Sequence, residues 1–198
     1  MDGCARILGI CGAPCTGKTT LASWLMRKLE SQSVESELLP ELARLLAEQG
    51  VAIDKEMREP DYDAFLAAYH ERDAGVLSPL AVADRTPVDH CSYLSVNRNM
   101  PPDFVARHEK EALAALERYR LLIYLPVQFP MRDDGFRETS RSYQGELDRA
   151  IHRMLDKSPV PVVRLEGYRR KRHRDAFSAV REHWPESFGQ LQAAGHSG

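Results

Sequence analysis

The chain has 198 residues, 28% of them charged and 43% hydrophobic, with a formal net charge of −2. That length supports one domain with a substantial core, and the near-neutral balance supplies no global positive field for nucleic acid or an anionic membrane. Cysteines at 4, 11, 15 and 91 form no C-x-x-C pair, no apolar run approaches membrane-spanning length, and Met1-Asp2-Gly3 does not begin a signal peptide, so reduced thiols in a soluble cytoplasmic protein are expected.

Arg6-Ile7-Leu8-Gly9-Ile10-Cys11 reads as a buried strand. Gly12-Ala13-Pro14-Cys15-Thr16-Gly17-Lys18-Thr19 then fills every fixed position of G-x-x-x-x-G-K-[ST], the phosphate-binding loop. Glycine lets the backbone wrap closely enough for successive N–H groups to meet phosphate oxygens, and the helix that follows adds its positive end. That helix runs from Thr20 through Leu29, with Leu21, Trp24, Leu25 and Leu29 on its packing side. The motif assigns Gly12, Ala13, Pro14, Cys15, Thr16, Gly17, Lys18, Thr19 and Thr20 to a nucleoside triphosphate. Lys18 reaches the transferable phosphates and the Thr19 hydroxyl sits on Mg²⁺.

Glu37-Leu38-Leu39-Pro40 reads as the end of a second strand, closed by proline. The helix expected over Glu41–Gly50 carries Leu42, Leu45 and Leu46 as its apolar stripe. Glu41 and Arg44 share a face that opens off the strand end, as solvated charges or as site residues. A further helix from Asp61 to about Leu77 packs through Phe65, Leu66, Tyr69 and Leu77. Tyr62, His70, Glu71 and Arg72 on it are ligand contacts or, more simply, surface and packing residues.

Leu80-Ala81-Val82-Ala83-Asp84-Arg85 is an apolar run ending in an acid, the pattern of a buried parallel strand that delivers a carboxylate to a site. Thr86-Pro87-Val88-Asp89 opens the next helix with a capping Thr, a first-position Pro and an acid three after the cap. Asp103 to Arg120 is a charged amphipathic helix with Phe104, Leu113, Leu116 and Tyr119 facing the core. Leu121–Leu125 reads as a central strand.

The charged stretch from Met131 to Arg141 carries arginines at 132, 137 and 141. It is either a solvated loop or a lid, over about 130–142, whose arginines close on phosphates. A helix over Glu146–Leu155 and a strand near a sheet edge within Ser158–Leu165 follow. The basic cluster Arg169–Arg174 is the exposed start of a helix reaching His183, or a contact for nucleic acid. The tail, about 184–198, ends in small polar residues expected to fray.

Strands alternating with helices predict an α/β domain spanning 1–198, with a five-stranded parallel sheet. The phosphate loop, Glu41/Arg44 and Asp84/Arg85 each follow a strand, so all three groups converge beyond the carboxyl ends of the sheet.

Together with Asp133-Asp134-Gly135-Phe136-Arg137, these motifs resemble the P-loop kinases of nucleosides and nucleotides over residues 5–182. The most similar branch holds the ribosylnicotinamide kinase half of bacterial NadR, an AAA-type ATPase/kinase group. The resemblance implies ATP-dependent transfer of the γ-phosphate to an acceptor hydroxyl, with Mg²⁺. It maps an acceptor-activating acid onto Glu41, substrate contacts onto Arg44 and Arg85, and a metal-organising carboxylate onto Asp84 with Thr19. Charge-stabilising lid arginines map onto Arg137, Arg132 and Arg141. ATP rather than GTP is carried by the resemblance, since no guanine-specific N-K-x-D occurs.

The leading expectation is therefore a kinase, monomeric or homodimeric, acting on a nucleoside-like or nucleotide-like alcohol. A kinase for a hydroxyl carried on DNA or RNA, such as a hydroxymethylated base in phage DNA, is the alternative that Arg169–Arg174 would support. A nucleotide-binding switch without an acceptor is the third.

Overall fold

β1 (Ile7–Cys11) is buried along its whole length because it has a strand on each side. It pairs in parallel with β3 (Ala81–Asp84) and with β4 (Tyr119–Tyr124). β2 (Glu37–Leu39) adds outside β3, and β5 (Val162–Arg164) outside β4, giving an all-parallel sheet in the order β2-β3-β1-β4-β5. The five parallel strands expected from the sequence are thus present, with β5 at an edge as its prolines imply. A computed structural model describes residues 6–53, 57–128 and 141–193 of the chain.

Parallel pairing requires crossovers, and helices supply them. They are α1 (Lys18–Glu30) after β1, α2 (Leu42–Glu48) and α3 (Glu59–Ala74) after β2, α4 (Pro87–Val96) and α5 (Pro102–Ala115) after β3, and α6 (Arg141–Leu155) after β4; α7 (Arg169–His183) and α8 (Pro185–Ala193) follow β5 and pack beside the sheet. Alternation along β1 divides the core. Leu8 and Ile10 belong to the layer completed by Leu21, Leu25 and Leu29 of α1, Ala176 and Val180 of α7, and Trp184. Ile7 and Cys11 belong to the other, with Val88 and Cys91 of α4, Ala112 of α5, and Leu147 and Ile151 of α6. Each large apolar side chain taken fully out of water contributes about 1.5–3 kcal/mol relative to exposure. A third cluster, including Leu42, Leu46, Phe65, Tyr69, Leu94 and Phe104, joins α2, α3, α4 and α5 where α2 leaves the end of β2.

Several local expectations change. Tyr119 does not extend the preceding helix, which ends in a 3-10 turn at Leu116–Arg118; it starts β4. The pairing register then slips, from Ile7 opposite Tyr119 to Leu8 opposite Leu121, so Arg120 is a bulged residue. The bulge puts Tyr119 on the same core layer as Leu122 rather than with Leu121. Leu77 is 84% exposed instead of packed, because α3 has already ended at Ala74. Leu45 is exposed while Leu42 and Leu46 carry the buried face of α2. The tail holds a further helix, α8, with Pro185 at its first position. The capping box read at Thr86–Asp89 is present.

Candidate active site

Gly12 leaves β1 at φ +151°, and a Cβ there would lie 2.4 Å from the Leu125 carbonyl oxygen. Only glycine lets the loop pass this close to the exit of β4. Gly17 caps α1 at φ +96°, again a conformation that side chains disfavour. Three helices fasten the loop between these two points. The Gly12 N–H donates to Asp89 Oδ1 of α4 at 3.0 Å, Gln144 Nε2 of α6 donates to the Pro14 carbonyl at 2.9 Å, and Arg172 of α7 donates to the Thr16 carbonyl at 2.8 Å. The first-turn N–H groups of α1 have no partner within the helix, which is what an anion site needs.

Lys18 is buried, and its Nζ donates to the Gly12 carbonyl at 2.6 Å and the Ala13 carbonyl at 2.8 Å. Burial first, then the Arg85 charge, bring its pKa down to about 7, against the pull of Asp89, Asp84 and Glu41. Lys18 therefore shares one electrostatic environment with all four of these groups.

Asp84 ends β3 opposite Ile10 of β1, so strand pairing carries it to the edge of the phosphate loop. Its carboxylate is hydrogen-bonded to the Thr19 side chain. Burial lifts its pKa above the ordinary carboxylate range, opposed by the Thr19 hydrogen bond and by Arg85 and Lys18. Asp84 Oδ1 is buried with no hydrogen-bond partner among the described residues. A buried carboxylate oxygen without a donor, next to a hydroxyl, fits a hard divalent cation that takes oxygen ligands.

A second charged group starts one residue before α2. Glu41 accepts from Arg85 Nε at 2.6 Å, and the two side chains are only 18% and 9% exposed. Arg85 holds φ +77°, a left-handed conformation that costs a non-glycine residue about 1–2 kcal/mol. Burial works against the Arg85 charge, but Tyr93, Glu41 and Asp89 outweigh it and raise its pKa. Beyond the ion pair lies a cavity, open to solvent on one side, walled by Ile53, Met57, Phe65, Tyr69, His90 and Tyr93. His90 stacks on Phe65 with centroids 4.9 Å apart and an 8° interplanar angle. Its Nε2 lies 3.2 Å from the Tyr62 carbonyl, which can only accept, so Nε2 carries the proton. Burial brings the His90 pKa down to about 3, so the cavity wall is neutral and aromatic at that position.

A family model, AAA_28, described as an AAA domain, matches residues 8–172. The chain belongs to this family. No curated protein matches the sequence. Among solved structures, NadR in complex with NR is similar at a TM-score of 0.71 and 22% identity, over 90% of this chain and 51% of that one. Deoxyadenosine kinase from M. mycoides with bound dCTP gives 0.65 and 14%, over 89% of this chain and 100% of that one. YorR from Bacillus subtilis, in complex with phosphorylated GDP, gives 0.57 and 11%, over 90% and 98%. The chain spans about half the length of the NadR structures it matches. The likeness establishes the fold, that of P-loop kinases.

Within this AAA-family chain, Lys18, Thr19, Glu41, Asp84 and Arg85 come together as the sequence implied. Arg132 and Arg137 lie outside the described residues, and so do the side chains of Arg44 and Arg141. Thr20 lines a second cleft with Gly17, Leu21, Leu125, Arg169, Arg172 and His173. The basic cluster is divided, with Arg169, Arg170 and Arg174 exposed and the others partly buried. Arg172 holds the loop, His173 stacks on Trp24 at 4.4 Å, and Lys171 and Arg174 both pair with Asp175. Sequence reading missed Gln144, Arg172 and the aromatic cavity as parts of a site, and took Asp89 only as a helix cap. A buried polar residue one turn into a helix after a strand was the available signal for Asp89; Gln144 had none.

Proposed function

We propose that the protein is a kinase that transfers the γ-phosphate of ATP to a hydroxyl of a nucleoside-like acceptor. The observation that carries this reading is the Glu41–Arg85 pair, which stands between the Lys18 environment and an aromatic cavity. A carboxylate facing a phosphate site on one side and a stacking surface on the other suits an alcohol borne on a planar base. The nucleoside kinases among the structural neighbours support the same class.

The donor phosphates lie on the first turn of α1, and Lys18 leaves the Gly12 and Ala13 carbonyls to meet them. The donor's nucleoside end occupies the cleft beside Gly17 and Thr20. On the opposite side the acceptor ring stacks within the cavity and its hydroxyl faces Glu41. As the acceptor oxygen bonds to phosphorus and the bond to the β-phosphate oxygen breaks, Glu41 takes the hydroxyl proton and ADP leaves. Arg85 holds the Glu41 carboxylate in place through their 2.6 Å ion pair. Thr19 and Asp84 would hold Mg²⁺, which neutralises phosphate charge when bound. Arg137, with Arg132 and Arg141, stabilises charge on the transferring group, and Arg44 contacts the acceptor.

Incubation with Mg²⁺ and γ-labelled ATP tests this, with a panel of nucleosides in one tube and plain or hydroxymethylated DNA in another. Label on a free nucleoside is expected. Label only on polymer, or only as free phosphate, overturns the reading.

A further inference from the structure

Arg72 touches both backbone turns that carry the acceptor-side pair. Its NH1 donates to the carbonyl of Pro40, the residue before Glu41, at 3.3 Å. Its NH2 lies 3.4 Å from the carbonyl of Arg85 itself, the residue held at φ +77°. The guanidinium covers the ring of Tyr69, a wall of the cavity, at 4.7 Å. One planar fork therefore spans the β2–α2 turn, the β3–α4 turn and a cavity wall.

The fork is itself anchored. Asp73 accepts from Arg72 at 2.8 Å and from the Tyr119 hydroxyl at 2.6 Å, and Tyr119 also accepts from Arg72 at 3.1 Å. Tyr119 and Asp73 are 1% and 3% exposed, so the anchor is dry. The sequence provides for it twice. The Arg120 bulge turns Tyr119 onto this face of the sheet, and Gly9 leaves the space through which its ring passes, since a Cβ there would lie 2.9 Å from Tyr119 Cδ1.

We propose that Arg72 is a positioning residue for phosphoryl transfer: anchored by Asp73 and Tyr119, it sets the spacing of the two turns that hold Glu41 and Arg85. This rests on the kinase reading above. A lysine would preserve the charge opposite Asp73 but not the fork, because one ammonium cannot serve two carbonyls and a carboxylate in a single plane.

The test compares wild type, Arg72→Lys and Tyr119→Phe by steady-state kinetics, thermal melting and crystallography. Arg72→Lys is expected to melt within a few degrees of wild type yet to lose kcat by about 30-fold, with KM for ATP within about twofold. Tyr119→Phe, which keeps Arg72 and removes one hydroxyl, is expected to lose kcat by about 5-fold. In crystals of either variant the Glu41–Arg85 contact should open from 2.6 Å to beyond hydrogen-bonding distance. Full activity in Arg72→Lys, or lost activity with the Glu41–Arg85 contact intact, overturns the proposal. If Arg72→Lys does not fold, Tyr119→Phe decides by the same two readouts. A wild-type protein that labels no acceptor overturns the kinase reading instead, and the crystallographic distance still decides the role of Arg72.

Discussion

Asp89 binds Gly12: its Oδ1 accepts the Gly12 N–H at 3.0 Å, so the first residue of the phosphate loop is held by the helix that follows Arg85. The other oxygen accepts from the Thr86 N–H and hydroxyl, both at 2.9 Å. A single buried carboxylate thus completes the α4 capping box and ties the phosphate loop to the β3–α4 turn. Asp89→Ala strands three buried donors. The expected loss of stability is about 2–4 kcal/mol, from unsatisfied groups and a missing cap. Urea denaturation measures it, and MgATP affinity should weaken in the same variant. Asp89→Asn, which keeps one acceptor oxygen but turns an NH2 toward the remaining donors, should also be destabilised.

Lys18 makes donor binding depend on pH. With a pKa near 7 in the free protein, it is increasingly neutral above that value. Phosphate oxygens favour the charged form and raise its pKa, so binding takes up a proton at alkaline pH. Affinity for MgATP should fall between pH 7.5 and 9, by up to about tenfold per unit. Titration calorimetry in buffers of different ionisation enthalpy reads the proton uptake directly. A flat affinity over that range rejects the assignment, and Lys18→Met should bind more weakly and lose the dependence.

What could be read from the sequence was whatever has a fixed local spacing. Gly12–Thr19, the Thr86–Asp89 cap and the Asp84-Arg85 strand end are all of this kind, and they stand where expected. Strand order is not local, since the five elements are compatible with several parallel sheets until β1 is seen between β3 and β4. The Glu41–Arg85 contact joins residues 44 positions apart, so each was legible but their pairing was not. Phe65 and Tyr69 read as core because cavity walls and core share one helical spacing. Tyr119 read as helical because the spacing Leu113, Leu116, Tyr119 continues the apolar stripe past the point where the chain turns into β4.

Gly9, in the middle of β1, has no room for a side chain. A methyl group there would lie 2.6 Å from Thr86 Cγ2, 2.7 Å from Leu122 Cδ2 and 2.9 Å from Tyr119 Cδ1. The φ is ordinary, so the constraint is space alone. Gly9→Ala should cost about 1–3 kcal/mol by overpacking, visible as a lower denaturation midpoint. Because Thr86 caps α4 and Tyr119 anchors Arg72, kcat should fall as well. Wild-type stability in Gly9→Ala would mean that Tyr119 has room to move and does not brace the acceptor side.

The division of labour between two acids gives the sharpest chemical test. Glu41 faces the aromatic cavity and pairs with Arg85, whereas Asp84 pairs with Thr19 beside the donor loop. If Glu41 takes the acceptor proton, Glu41→Gln should lower kcat by about 10²–10⁴ while leaving the Kd for MgATP within about threefold. Its stability should fall by about 1–3 kcal/mol, less than for a fully buried pair because Glu41 keeps some access to solvent. Asp84→Asn should instead raise the Mg²⁺ concentration needed for half-maximal rate, with part of the activity returning at high Mg²⁺. Rates measured across a Mg²⁺ titration separate the two acids. Should Glu41→Gln remain active while Asp84→Asn stays inactive at every Mg²⁺ concentration, the base is Asp84, and Glu41 serves only to hold Arg85.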